Sequence, residues 1–327
     1  MTDLERNQMM QGARTILEDC LSLKKGEKFL IVTDPALKTI AQVLVDAAYD
    51  RGINAILEIM DPRERDGQEP PLSTAEAMKK SDVIVCPVSI SITHTNAVKE
   101  AAAMGARILV MTAFTKELMM HGGIEADFKA QKPICEKLAQ LFSEAESIHL
   151  TNPAGTNLRM EVVGQRGNAL TCIVEPGQFS TIPTIEANVS PIVGSSEGVI
   201  VADASIPYLG IGLLKEPIHF RVTKGFITDI RGGYQAKLLM NDLEAKNDPN
   251  VYNIAELGVG LNPKCKMTGI MLDDEGVLGS AHIGIGSNFT LGGNLKAAIH
   301  YDLVLWHPTI KLDKKIVMKN GNIEFSL

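Results

Sequence analysis

The chain lacks the cysteine pattern of a disulfide framework. Its five cysteines are odd in number and scattered, and no Cys-x-x-Cys pair occurs. This usage is typical of reduced thiols in a cytoplasm and not of a secreted protein held together by disulfides. The first residues, MTDLERNQMMQGARTILEDC, also lack the basic start and apolar middle of a signal peptide. We therefore expect a cytoplasmic protein.

Other absences exclude three kinds of partner. No apolar run reaches the roughly 20 residues that a membrane span requires. The net charge is −7 and no stripe of clustered Lys and Arg occurs, so nucleic acid is not an expected partner. Neither Gly-x-Gly-x-x-Gly nor a Walker A sequence follows any apolar run. Without such a loop of small residues, a dinucleotide phosphate has no close approach to the backbone.

The chain does contain enough apolar sequence for two domains, since 45% of its 327 residues are hydrophobic. Up to residue 150, apolar runs rich in β-branched residues alternate with stretches of helical spacing. This alternation predicts an α/β domain, residues 1–150, whose parallel sheet carries helices on both faces. The predicted strands cover residues 28–34, 55–60, 82–88, 107–112 and 147–153. The predicted helices cover residues 36–51, 72–80, 94–104 and 124–146.

After residue 150 the pattern changes to short strand-like runs between glycines and prolines. KGFITDIRGG (224–233) and MKNGNIEF (318–325) are typical of hairpins, and the Asn-Gly pair in the second is a strong turn signal. One stretch of helical spacing, 232–246, interrupts these strands. We expect residues 151–327 to form a β-rich α+β domain that binds metal and carries out catalysis.

The stretch KAAIHYDLVL, residues 296–305, places a histidine and an acid inside an apolar strand. His300 and Asp302 are two residues apart, so their side chains point to the same face of that strand. Burying an imidazole and a carboxylate together is costly unless each is paired. Two alternatives follow: a hydrogen bond between the two side chains, or a shared metal ion.

Three further residues favour the metal ion. His282 lies in LGSAHIGIGSN (278–288), where glycines permit a close approach of the backbone. Glu256 in NIAELGVGLNP and Glu186 in STIPTIEANVSP both lie among apolar neighbours. With His300 and Asp302 these side chains form a mixed nitrogen and oxygen set that suits Zn, Mn, Co or Fe(II) and requires no thiolate. Three carboxylates would neutralise most of the charge of two divalent ions, so we expect one or two ions.

Four segments resemble the metalloaminopeptidases of peptidase family M29, also called aminopeptidase T. They occur in the order PTIEA, AELGVGLNPK, DEGVLGSAHIGIGSN and IHYDLVL. The resemblance implies an N-terminal α/β domain, a β-rich C-terminal domain, a homodimer and a two-metal site. The ligands that it implies are Glu186, Glu256, His282, His300 and Asp302.

The chain departs from that family pattern at two positions. The family's Pro-Thr motif usually carries two adjacent acids, but here Ile185 takes the first place and only Glu186 remains. Glu186 is then either a ligand or the general base. The family also tends to have a tyrosine where this chain has Phe289. A hydroxyl that stabilises a tetrahedral intermediate is therefore missing.

A second resemblance is to the 2,5-dihydroxypyridine 5,6-dioxygenases, through VYNIAELGVGLNP and KGFITDIRGG. Members of that family cleave an aromatic ring with one Fe(II) held by two histidines and one aspartate. Their first histidine falls where Glu256 stands here, and His300 and Asp302 match the other two ligands.

Three functions are consistent with these patterns. The leading hypothesis is a metal-dependent hydrolase that releases N-terminal residues from small peptides through a metal-activated water, with Glu186 and Glu256 as the catalytic residues. The alternative is an Fe(II)-dependent ring-cleaving dioxygenase acting on a small hydroxylated pyridine such as 2,5-dihydroxypyridine, with Glu256, His300 and Asp302 around the iron. The third is a metal-stabilised binding protein without enzymatic activity.

Overall fold

The structure, a computed structural model, describes residues 2–93 and 95–327. Its helices are α1 Asp3–Arg14, α2 Lys38–Asp50, α3 Leu72–Lys79, α4 Asn96–Ala103, α5 Lys116–Met120, α6 Phe128–Glu144, α7 Tyr234–Ala245 and α8 Met271–Asp274. A π-helical turn, Thr15–Cys20, continues α1, and 3-10 turns lie at Gly122–Glu125 and Pro249–Tyr252.

The strands follow in chain order. They are β1 Phe29–Thr33, β2 Ala55–Ile59, β3 Val83–Val88, β4 Arg107–Thr112, β5 Ser147–Thr151, β6 Asn157–Glu161, β7 Gly167–Leu170, β8 Phe179–Thr181, β9 Glu186–Val189, β10 Glu197–Ala202, β11 Ser205–Ile206, β12 Gly212–Leu213, β13 Ile218–Thr223, β14 Phe226–Arg231, β15 Ile254–Gly260, β16 Ser280–Gly286, β17 His300–Trp306, β18 Thr309–Leu312, β19 Lys315–Lys319 and β20 Asn322–Ile323.

The chain divides into two compact units. Unit 1 comprises the residues up to Ala130 together with Leu170–Pro183, and unit 2 comprises Gln131–Ala169 together with Thr184–Leu327. The predicted domain limits, 1–150 and 151–327, differ from these units in detail and stay a prediction. Within the described ranges, no helix combines the length and apolarity that crossing a bilayer requires.

Unit 1 contains a five-stranded parallel sheet in the order β2-β1-β3-β4-β8. Every residue of β1 and β3 is buried, which is the pattern of strands covered on both faces. Leu30 and Val32 of β1 share a hydrophobic cluster with Met78 of α3 and Val98 of α4. The first four strands and the helices between them confirm the predicted α/β fold.

The fifth predicted strand of this sheet was wrong. Residues 147–151 do form β5, but β5 pairs antiparallel with β6 and β18 in unit 2. The chain reverses directly after β5, where the backbone N–H of Thr156 donates to Oδ1 of Asn152 and Gly155 has a φ of 117°. Such a tight reversal gives an antiparallel hairpin, whereas a parallel neighbour needs a long crossover. The fifth parallel strand is β8 instead.

Unit 2 contains two antiparallel sheets, an eight-stranded one and a seven-stranded one in the order β12-β11-β17-β16-β15-β9-β7. Both predicted hairpins are present. The turn between β13 and β14 is Lys224–Gly225, with φ of 51° and 78°, and the turn between β19 and β20 is Asn320–Gly321, with φ of 48° and 80°. Positive φ at both central residues matches the right-handed twist of the flanking strands.

The carboxyl edge of the parallel sheet is filled by the chain's own acids. Asp34 follows β1 and accepts hydrogen bonds from the backbone N–H of Ser89 at 2.6 Å and from the Ser89 hydroxyl at 2.7 Å. Glu69 accepts from the N–H groups of Asn96 at 2.6 Å and Ala97 at 3.1 Å, at the start of α4. In nucleotide-binding sheets, phosphate takes such positions at strand ends and helix N-termini. In this chain, side-chain carboxylates accept from those positions.

Asp34→Ala should destabilise the protein by about 2–3 kcal/mol, because the part-buried N–H and hydroxyl of Ser89 would lose a charged, buried acceptor. The measurement is urea unfolding followed by circular dichroism. Asp19→Ala is the control, since Asp19 pairs with Lys129 at an exposed site and such pairs contribute about 0–1 kcal/mol. Equal losses in the two variants would contradict a structural role for Asp34.

Candidate metal centre

In three adjacent strands of the seven-stranded sheet, β15, β16 and β17, aliphatic side chains point to one face and polar or charged side chains to the other. Because side chains alternate along a strand, one face of the sheet receives the aliphatic residues of each strand. These are Leu257, Val259, Ile283, Ile285, Leu303 and Leu305, and all are fully buried. The opposite face, called the ligand face here, carries Glu186, Asn188, Glu256, Gly258, His282, Gly284, His300 and Asp302.

Strand register places a glycine between the charged residues of the ligand face. Glu256 on β15 lies opposite Gly284 on β16, which in turn lies opposite Asp302 on β17. A Cβ atom at Gly284 would lie 2.7 Å from Cε1 of His300 and 2.8 Å from Cβ of Glu256. Glycine is required here because the imidazole rests on the backbone.

Gly258 has the same role for the second histidine. It lies opposite His282, and a Cβ atom at Gly258 would overlap the His282 ring. The glycine beneath the His282 ring thus comes from the neighbouring strand and not from the segment 278–288 on which the expectation rested.

The structure brings all five predicted ligands together. Nε2 of His282 lies 3.6 Å from Glu186 and 3.9 Å from Oε1 of Glu256. Nε2 of His300 lies 3.0 Å from Oε2 of Glu256 and 3.4 Å from Oδ1 of Asp302. Two sets of ligand atoms, each within 4.8 Å of one another, result: Glu186 with Glu256 and His282, and Glu256 with His300 and Asp302.

Glu256 is the residue that the two sets share. Its two carboxylate oxygens face two different imidazoles, so each oxygen belongs to a different set. The side chain is almost completely buried, with 3% of the residue exposed. This is the position from which one carboxylate can bridge two cations.

A neutral amide holds one oxygen of the Glu186 carboxylate. The amide of Asn188 donates to Oε1 of Glu186 at 2.7 Å, and the amide of Asn168 donates to Oδ1 of Asn188 at 2.9 Å. Oε2 of Glu186 is left facing His282. Sequence analysis missed Asn188, although it follows Glu186 by two residues and the spacing that united His300 with Asp302 applies to it equally.

Two further residues that sequence analysis missed, Tyr208 and Glu275, lie beside Asp302. The hydroxyl of Tyr208 donates to Oδ2 of Asp302 at 2.6 Å and reaches Oε1 of Glu275 at 3.4 Å. Glu275 belongs to the DEGVLG segment that carries the family resemblance, so a signal for it was present. No comparable signal marks Tyr208, which lies in the short hairpin between β11 and β12.

Burial and mutual repulsion raise the pKa of two acids in this pocket. Burial raises the pKa of Glu186 to about 7, with a smaller contribution from the nearby Glu256 carboxylate, although His282 acts in the opposite direction. Burial and the charge of Asp302 raise the pKa of Glu275 well above its ordinary range. Repulsion of this kind is relieved when a cation enters the site.

The pKa values of Glu256 and Asp302 are lowered, and those of His282 and His300 are raised. Burial alone would raise the pKa of Glu256 and Asp302. Hydrogen bonds and charge from the two histidines lower the pKa of Glu256, and the charges of His300 and His282 with the Tyr208 hydrogen bond hold the pKa of Asp302 below its ordinary range. Burial alone would lower the pKa of His282, but Glu256 and Glu186 raise it to about 9. Asp302 and Glu256 likewise raise the pKa of His300 well above its usual value. The metal-free pocket is therefore held together by protonated imidazoles.

The donor atoms fit a divalent cation. Among the residues that the structure describes, Oδ1 of Asp302 is buried without a hydrogen-bond donor, although it lies near His300. Nδ1 of His300 lies 2.8 Å from the carbonyl of Ser287, and because a carbonyl only accepts, Nδ1 must carry the hydrogen. The neutral ring then keeps a lone pair on Nε2, which is the atom that faces the carboxylates.

The two departures from the aminopeptidase pattern are also visible. Ile185 is fully buried. Phe289 is 45% exposed, and Nζ of Lys296 lies 4.2 Å from the centre of its ring. Neither side chain offers a ligand or a hydroxyl.

Comparisons with known proteins find relatives in sequence and in fold. The sequence model of a family described as "NicX: 2,5-dihydroxypyridine 5,6-dioxygenase" matches residues 8–325. A 2,5-dihydroxypyridine 5,6-dioxygenase from Pseudomonas putida KT2440 is 28% identical over 269 residues, which cover 77% of this chain and 73% of that relative.

Two solved structures share the fold. One is a 2,5-dihydroxypyridine dioxygenase from Pseudomonas putida KT2440, with a TM-score of 0.84, 21% identity, and coverage of 98% of this chain and 97% of the other. The second is AmpT from Thermus thermophilus, with a TM-score of 0.71, 15% identity, and coverage of 97% and 99%. The sequence match thus falls on the second of the two resemblances, and the aminopeptidase resemblance is supported at the level of fold.

Gly284→Ala should weaken the binding of Zn²⁺ about 10-fold or more, because the added methyl group displaces the His300 ring. Competition with a chromogenic chelator measures this affinity. Leu257→Ala is the matched control from the opposite face of the sheet, expected to cost about 2–5 kcal/mol of stability while metal affinity is retained. Unchanged affinity in Gly284→Ala would contradict the proposed contact between ring and backbone.

Zn²⁺ binding at pH 7 should release protons. Because the pKa of His282 is raised to about 9 and that of His300 well above its usual value, both imidazoles carry an extra proton at pH 7 without metal and must lose it to ligate. Titration calorimetry in buffers of different ionisation enthalpy measures the release, which should decrease as pH rises through 9. His282→Ala should release fewer protons than His219→Ala, an exposed control, and an equal count would contradict the assignment.

Proposed function

The chain belongs to the 2,5-dihydroxypyridine 5,6-dioxygenase family, and within that family we propose that it is a divalent-metal enzyme whose ligand set, which differs from the dioxygenase pattern at Glu256, favours hydrolysis. The observation that carries the proposal is Glu256, a buried carboxylate whose two oxygens face His282 and His300 separately. A carboxylate that joins two ligand sets is suited to two neighbouring cations.

Paired cations bridged by a carboxylate, about 3.5–4 Å apart, are a recurring hydrolytic arrangement. When bound, such cations polarise a carbonyl group and lower the pKa of a water molecule to about 7. In this chain Glu186, Glu256 and His282 would hold one cation, and Glu256, His300 and Asp302 the other. The five residues are those that the aminopeptidase resemblance implies, and Ile185 replaces the first of the two adjacent acids that the family usually carries.

Protein groups supply the remaining chemistry. Asn188 holds Oε1 of Glu186 and leaves Oε2 turned inward, where this oxygen can ligate or accept a proton. The acidic pocket also attracts the positively charged α-amino group of a peptide. Recognition of that group would restrict cleavage to N-terminal residues.

The second candidate is an Fe(II)-dependent dioxygenase acting on a hydroxylated pyridine. Its support is the family match over residues 8–325 and the dioxygenase relative that is 28% identical. Glu256, His300 and Asp302 would hold the iron and leave Glu186 and His282 without a ligand role. The resemblance places a histidine of those dioxygenases where Glu256 stands, and this difference is why we place hydrolysis first.

The deciding experiment supplies Zn²⁺, Mn²⁺, Co²⁺ or Fe(II) to the apoprotein and assays both leucyl peptides and 2,5-dihydroxypyridine. We expect metal-dependent release of the N-terminal residue, unchanged when oxygen is removed. Oxygen consumption with the pyridine under Fe(II), without peptide cleavage under any metal, would replace the proposal with the second candidate. Metal binding without either reaction would support the metal-stabilised binding protein instead.

Glu256→Gln should lower peptide release by about 100-fold or more, because the loss of a shared ligand exceeds the usual effect of an outer contact. Circular dichroism should show the same fold as in the unchanged protein. Glu216→Gln, at an exposed position, is the control and should keep full activity. Equal activity of the two variants would overturn the role of Glu256.

The homodimer that the aminopeptidase resemblance implies stays a prediction, as does the cytoplasmic location. Neither bears on the ligand geometry, because all five candidate ligands come from unit 2 of a single chain.

A further inference from the structure

Tyr208 is held beside β17 by the backbone around it. It follows β11, whose Ser205 pairs with Val304 of β17. Its N–H donates to the carbonyl of Ile206 at 2.8 Å, and its own carbonyl accepts from the N–H of Ile211 at 2.9 Å. These bonds make the hairpin between β11 and β12 a fixed support for one side chain.

The ring of Tyr208 is held by a second aromatic residue. It stacks on Tyr301 with ring centroids 4.6 Å apart and an interplanar angle of 30°. The hydroxyl of Tyr301 forms a separate hydrogen bond, to Oδ2 of Asp242 on α7 at 3.1 Å. The direction in which the Tyr208 hydroxyl points is therefore set from both sides.

That hydroxyl meets Oδ2 of Asp302 at 2.6 Å, the shorter of its two contacts with acids. A phenol is neutral, so it satisfies this oxygen without adding a charge that would repel a cation. Oδ1 of the same carboxylate faces Nε2 of His300 at 3.4 Å and is buried without a donor among the described residues. Oδ2 of Asp302 thus accepts a hydrogen bond from Tyr208, whereas Oδ1 faces His300.

We propose that Tyr208 is a positioning residue of the metal centre, whose phenol holds Oδ2 of Asp302 and presents Oδ1 alone to the cation. The proposal rests on the proposed function and deepens it by assigning how Asp302 ligates. Asn188 supports the same logic at Glu186, where a neutral donor also holds one oxygen and leaves the other facing a histidine. Ligand orientation by outer hydrogen bonds commonly changes metal affinity by about 10–100-fold.

The test compares Tyr208→Phe with Tyr301→Phe in the full-length apoprotein, using chelator competition for Co²⁺ and Zn²⁺. We expect Tyr208→Phe to weaken both affinities about 10–100-fold. Tyr301→Phe keeps the stacked ring and loses only a hydroxyl that bonds Asp242, so its affinities should match those of the unchanged protein. Equal affinities in all three proteins would overturn the proposal.

Two further measurements separate the phenol from general packing. The visible absorption spectrum of bound Co²⁺ reports coordination, and it should change in Tyr208→Phe but not in Tyr301→Phe. Tyr208→Leu removes the ring as well, and it should weaken metal binding no more than Tyr208→Phe does. If Tyr208→Leu weakens binding while Tyr208→Phe does not, ring packing is responsible and the proposal fails.

Failure of the proposed function would give a different result. A parent protein that binds neither Co²⁺ nor Zn²⁺ would contradict the metal centre itself. A parent protein that binds them, with an unaltered spectrum and affinity in Tyr208→Phe, would contradict only the role of Tyr208.

Discussion

The arrangement of unit 2 depends on one electrostatic constraint, the burial of several carboxylates within a few ångströms of one another. Three candidate ligands are acids that are at most 5% exposed, and Glu275 adds a fourth acid nearby. Such a cluster is unstable unless positive charge or protons accompany it. Without a cation, the imidazoles of His282 and His300 take the positive charge. With a cation, they must give up their protons and become ligands. Metal binding at the proposed site would therefore exchange protons for a cation.

Glycine residues on the strands, and not a special loop conformation, leave room for that cluster. A ligand face that carried ordinary side chains at positions 258 and 284 would push both imidazoles off the sheet. The aliphatic residues between them fill the opposite face and fix the register of β15 against β16 and β17. A one-residue slip would exchange the two faces, so the hydrophobic core and the ligand set specify each other. Rigid strands hold ligands more accurately than loops, which suits the metal centre that we propose.

The sequence predicted those parts of the molecule in which local pattern and environment agree. Strands β1 and β3 were recognisable because strands covered on both faces are almost uniformly apolar, and the hairpin at Asn320 because its turn needs positive φ. β8 was not recognisable, since three residues with two hydroxyls carry no strand period. β5 was assigned to the wrong sheet because its apolar pattern does not depend on which neighbour it pairs with. Tyr208 was invisible for a related reason, because the two-residue strands around it have no periodicity and its partner is 94 positions away.

Fold similarity does not separate the two chemistries, since a dioxygenase and AmpT both share this architecture over almost the whole chain. The difference must lie in the ligands, and the residue at position 256 carries most of it. An imidazole there would present a single nitrogen and serve one metal ion. The carboxylate of Glu256 presents two oxygens, and in this structure they are directed to two different sites. Burying the second carboxylate oxygen of Glu256 is costly unless a positive charge lies near it, and His282 is the residue that faces Oε1. His282 and Glu186 would have no ligand role around a single iron ion held by Glu256, His300 and Asp302, whereas both would be ligands in the two-cation arrangement that we propose.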